Sequence, residues 1–90
     1  MANYLVVRHK VADFATWKKV YDSHRAKQKE AGLTERHLMR GTDVPNETIV
    51  VFEAADMGKA RAFASSADLH ETMMRAGVQD KPDVYFMTGV

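Results

Sequence analysis

The stretch Leu5-Val6-Val7-Arg8-His9-Lys10-Val11-Ala12-Asp13-Phe14-Ala15-Thr16-Trp17 decides how the rest of the chain reads. Its first part is β-rich, with Tyr4, Leu5, Val6 and Val7 consecutive within Asn3 to His9. Apolar residues at both even and odd positions mark a strand covered on both faces. Asp13 suits an N-cap, and a helix follows it. Phe14, Trp17, Tyr21, His24, Gln28 and Ala31 recur at spacings of three and four, which predicts one amphipathic stripe. Lys18, Lys19, Asp22, Arg25 and Lys29 lie mostly off that stripe, and Gly32 terminates the helix.

Leu33 to Thr42 reads as a second, more polar strand, as expected at an edge or along a cavity. Asp43-Val44-Pro45-Asn46 is a turn, and Thr48 to Ala54 is a third strand. A four-residue loop sets Thr42 opposite Glu47. That register pairs Arg36 with Glu53 and His37 with Phe52, and a one-residue slip would change both pairings. Asp56 caps a second helix with Ala60, Phe63, Ala64 and Ala67 as its stripe. Ser65-Ser66-Ala67-Asp68 interrupts it with another capping pattern. The helix resumes with Leu69, Met73 and Ala76 inward and ends at Gly77. Pro82 precedes a last strand, Asp83 to Thr88.

The order is strand-helix-strand-strand-helix-strand, which predicts an α+β, ferredoxin-like βαββαβ domain spanning residues 1–90. Its four-stranded antiparallel sheet carries the helices on one face. Apolar residues of both parities in three strands call for a cover on the other face, and a second copy of the chain supplies one. Ninety residues bury only roughly 60–65% of the surface their unfolded chain exposes. With no cysteine there is no disulfide to compensate, which again favours a homodimer.

The net charge of +1 leaves no basic surplus for nucleic acid, and no block of like charge stands out. No apolar run reaches the roughly 18 residues of a membrane span, and no leader pattern precedes the first strand. A cytoplasmic protein in a reducing compartment is expected. Gly-rich phosphate loops, Ser or Cys nucleophile motifs and close carboxylate pairs are missing from the sequence, which leaves phosphoryl transfer, triad acyl transfer and glycoside hydrolysis without support.

In its details the chain resembles the dimeric α/β-barrel superfamily, in particular small stand-alone members related to antibiotic-biosynthesis monooxygenases. The resemblance rests on Arg8-His9-Lys10-Val11, the Asp13-Phe14 helix start with Trp17, and the Gly32-Leu33 break. The hairpin from Arg40-Gly41-Thr42-Asp43 to Pro45-Asn46, Ala60-Arg61-Ala62-Phe63 and Gly77-Val78 complete it. It implies a barrel formed by two sheets and a ligand cavity between sheet and helices in each subunit. Members oxidise polycyclic aromatic substrates without a cofactor, degrade haem, or isomerise or cyclise small molecules. The haem-degrading branch carries a Trp on its third strand, where this chain has Phe52, so that activity is disfavoured.

Two strand histidines, His9 and His37, are the candidate catalytic groups, since imidazole exchanges protons near neutral pH. Trp17, Arg36, Phe52, Tyr85 and His24 are candidate substrate-binding residues. Arg36 would meet a carbonyl or anion and the aromatics would shape the pocket. His24 also fits a satisfied core histidine, and His70 a solvated one. No histidine pair has metal-ligand spacing on a helix, so no metal is expected, and the resemblance implies no cofactor. Two functions follow: a cofactor-independent monooxygenase or cyclase/isomerase-like enzyme acting on an aromatic or carbonyl substrate, or a non-catalytic ligand-binding or stress-related dimer. An RNA-binding ferredoxin-like domain is the weakest alternative, because it would need exposed aromatic and basic residues on the open sheet face.

Overall fold

The computed structural model describes residues 1–90, the side chain of Asp80 excepted. Four strands form one sheet: β1 (Asn3–Val11), β2 (Leu33–Arg40), β3 (Glu47–Ala54) and β4 (Val78–Thr88). Their spatial order is β2-β3-β1-β4, and every neighbouring pair is antiparallel. Two helical arms cover one face, α1 (Phe14–Ser23) with α2 (Arg25–Glu30), and α3 (Met57–Ala64) with α4 (Ala67–Arg75). This is the ferredoxin-like α+β plan that the element order predicts.

The two halves use the same joints. Asp13 accepts from the Thr16 amide at 3.0 Å, and Asp56 from the Lys59 amide at 3.1 Å. Each arm ends on a glycine with positive φ, Gly32 at 74° and Gly77 at 82°. The Gly32 carbonyl accepts from Ala55 N and the Gly77 carbonyl from Ala12 N, each at 2.9 Å. Each glycine therefore ties the end of its arm to the strand that leads into the other arm. Ser66 supplies the second cap, receiving the Leu69 amide at 3.1 Å.

Leu5, Val7, His9 and Val11 of β1 face the helices, as do Thr48, Val50, Phe52 and Ala54 of β3. With Trp17, Tyr21, Leu33, Ala60 and Ala76 their apolar members form the core. The opposite sheet face carries Tyr4, Val6, Ile49, Val51, Tyr85 and Met87, so β1, β3 and β4 are apolar on both sides.

Three details differ from the sequence reading. The first arm breaks at His24, because the Ser23 hydroxyl donates to the Val20 carbonyl at 2.6 Å while His24 N turns to Tyr21 O. That carbonyl would otherwise take the His24 amide. The β2–β3 register is irregular between Glu35 and His37: Glu35 pairs with Phe52, His37 with Val51 and Leu38 with Val50. Arg36 and His37 therefore both lie on the open face, and Leu38 turns inward. The bulge exchanges a polar ring for an apolar side chain in the core. Finally, β4 begins at Val78, well before Pro82. Its register against β1 shifts between Arg8↔Asp83 and Lys10↔Gln79, opposite His9.

Candidate functional site

A cavity of about 120 Å³ lies between the sheet and the helical arms. Its floor is Leu5, Val7 and His9 of β1, Val50 and Phe52 of β3, and Val84 of β4. Trp17, Val20 and Tyr21 of α1 roof one side, with His24 and Gln28 beyond them. Phe63, Leu69, Thr72 and Met73 of the second arm close the other side. The alternation of β1 places His9 on the floor. The three- and four-residue spacing of the helix places Trp17, Tyr21, His24 and Gln28 above it.

His9 is 6% exposed, and neither ring nitrogen has a hydrogen-bond partner. Burial alone lowers its pKa from 6.5 to about 4, so the ring is neutral at physiological pH. Opposite His9 the β1–β4 register shifts, and Pro82 lines the cavity on that side. The His9 ring packs on Trp17 with centroids 5.2 Å apart, and Trp17 stacks on Tyr21 at 4.9 Å. Tyr21 is occupied elsewhere. Its hydroxyl donates to Glu35 at 2.6 Å, and burial followed by that carboxylate pushes its pKa far up. Tyr21 is thus a fixed wall, whereas neither nitrogen of His9 is engaged.

His24 is the second polar group of the wall. Its Nε2 is buried without a hydrogen-bond partner, and Asp68 Oδ2 stands 3.8 Å away, beyond hydrogen-bond reach. The Phe63 ring packs against it at 6.0 Å. Among the described residues the fully buried side-chain nitrogen and oxygen atoms without a partner belong to these two histidines alone. Each such atom costs about 1–3 kcal/mol, a cost native structures carry where a ligand or water meets it.

Of the residues proposed from sequence, His9, His24, Trp17 and Phe52 meet at this cavity. His37, Arg36 and Tyr85 do not, for they occupy the other side of the sheet. The expected His37–Phe52 pairing gives way to His37–Val51 because of the bulge in β2. The Arg36–Glu53 ion pair does form, at 3.0 Å, and removes Arg36 further from any cavity role. Gln28 and Thr72 are cavity residues to which the sequence reading gave no part. Gln28 was visible on the stripe. Thr72 was masked by its apolar neighbour Met73, and its hydroxyl donates to Asp68 O at 2.8 Å. Exposed His70 reaches the rim. Among the described residues no group of three or more His, Cys, Asp or Glu is placed to hold a metal ion, and no helix is long and apolar enough to cross a membrane.

No protein-family model matches the chain, and neither does any curated protein. Solved structures do share its fold. A candidate antibiotic biosynthesis monooxygenase from Bordetella bronchiseptica superposes with a TM-score of 0.80 at 18% identity, over 99% of this chain and 97% of that one. A candidate antibiotic biosynthesis monooxygenase from Caulobacter crescentus gives 0.75 at 20% identity, over 99% and 90%. SnoaB, a cofactor-independent oxygenase from Streptomyces nogalater, gives 0.76 at 16% identity, over 99% and 93%. The chain has the ferredoxin-like fold of these antibiotic-biosynthesis-monooxygenase structures.

Proposed function

We propose that the protein is a homodimeric small-molecule enzyme of the cofactor-independent monooxygenase kind, acting on an aromatic or carbonyl substrate. The observation that carries this reading is His9, a buried neutral imidazole with both nitrogens unpaired on the floor of an apolar, aromatic cavity. The likeness in fold to SnoaB supports it.

An oxygenation without a cofactor takes its electrons from the substrate: a CH₂ group and dioxygen become a carbonyl and water. The protein's part is to ionise the substrate and keep bulk water away. His9 meets a hydroxyl through its bare nitrogen, or a carbonyl through its N–H. Its weak basicity in the empty cavity rises as a phenolate forms beside it, because the anion favours the imidazolium. Trp17 and Phe52 hold the ring of the substrate, and His24 meets its far side. His37 has no part in this chemistry. A second copy covers the open sheet face, where Tyr85 and Met87 are 47% and 53% exposed.

Binding without turnover is the second reading. It is favoured by the same low pKa, which lies well below the optimum for a general base at neutral pH. An oxygen electrode separates the two. A panel of phenols and aryl ketones, assayed with chelator and without flavin, is expected to show uptake that His9→Leu lowers about 100-fold or more. Binding with no uptake and no product would leave the second reading. Turnover without oxygen uptake would place the activity with the isomerases or cyclases.

A further inference from the structure

We infer that the cavity takes an uncharged, single-ring molecule with an oxygen at each end of the ring, one bound by His9 and the other by His24. The inference rests on the cavity being the ligand site and specifies what fills it.

Three observations carry it. First, the orphaned nitrogens lie at two separate poles. His9 packs on Trp17 at one end of α1, and His24 closes the other end of that helix. Trp17 and His24 are seven residues, about two helical turns, apart, so the two histidines meet different ends of the cavity. One hydrogen bond at each pole calls for an oxygen at each end of a ligand lying along that axis. Between the poles the lining is Val20, Tyr21, Phe52 and Val50, whose exposed surfaces suit a ring and offer no free polar atom.

Second, the cavity volume of about 120 Å³ is the size of one ring. An apolar cavity of about 150 Å³ holds benzene, and ordinary ligand sites begin near about 300 Å³. Fused polycycles exceed this space. Third, no lysine or arginine lines the cavity, and the Asp68 carboxylate stands beside His24. A ligand carboxylate or phosphate would meet no counter-charge and one like charge, so the ligand is neutral.

Matched probes test this on the unaltered protein by calorimetric titration, with the ring signals of His9 and His24 followed by NMR. 4-Methoxyphenol has an oxygen at each end. 4-Ethylphenol has the same shape with one oxygen, and 3-methoxyphenol has the second oxygen misplaced. 4-Methoxyphenol is expected to bind about tenfold more tightly than either, the worth of one hydrogen bond in a buried site, and to shift both histidines. His24→Leu should erase that advantage. Equal affinities for the three probes, or a shift at His9 alone, would overturn the two-pole assignment and leave the cavity reading standing. No shift at His9 with any of them would overturn the cavity reading itself.

Discussion

At the scale of single residues, His9 shows how function and stability pull apart. Its two bare nitrogens lie in an apolar site, where a hydrocarbon side chain would cost less. His9→Leu is expected to raise the thermal midpoint while it removes ligand binding; a lowered midpoint would mean that the ring is structurally required. The same burial sets a pH dependence. With a folded pKa of about 4 against an ordinary 6.5, the folded chain binds fewer protons than the unfolded chain between those values. Stability is therefore fully present above about pH 6.5 and falls by about 3 kcal/mol as the pH drops towards 4. Denaturant unfolding across that range should show the loss in the native protein and its absence in His9→Leu, once shared carboxylate effects cancel. His9 was legible as a candidate because a polar ring ends an apolar strand. Its face was not legible, because residues of both parities in that strand are apolar.

At the scale of elements, short-range chemistry was read more reliably than register. Asp13, Asp56, Ser66, Gly32 and Gly77 act as the caps and stops that their residue types announce. The positive φ of Gly77 makes Gly77→Ala cost about 1–2 kcal/mol by denaturant unfolding. A Cβ there meets only ordinary contact with Ala12, so the strain is conformational, and an unchanged midpoint would contradict this account of the joint. Gly41→Ala acts differently: its Cβ would run into the Val44 carbonyl, and the β2–β3 turn should deform. What stayed hidden were the two register shifts. A bulge adds a residue with no composition of its own, and the one in β2 reverses the faces of His37 and Leu38. The other, in β4, lies opposite His9, beside the cavity. The break at His24 depends on one serine hydroxyl competing for a carbonyl, which helical periodicity does not register.

At the scale of the whole molecule, the fold was legible from element order, and the open sheet face from the strands' apolar residues. Val6 and Val51 are paired at its centre, between His37 on β2 and Tyr85 on β4. Sedimentation is expected to give a dimer at micromolar concentration and a monomer for Val51→Glu, because an unpaired carboxylate would be buried between the sheets. A native monomer would remove the dimer from the account. The cavity was legible only as an expectation about sheet and helices, since its contents depend on which residues a bulge turns inward. The proposed function turns on the buried neutral ring of His9 meeting a small molecule. The most direct measurement is the NMR signal of the His9 imidazole, followed first through a pH titration and then on addition of 4-methoxyphenol. The ring is expected to stay neutral from pH 8 to about 5 and to shift on addition of the phenol. A ring that titrates near 6.5 and ignores the phenol would contradict the proposed function.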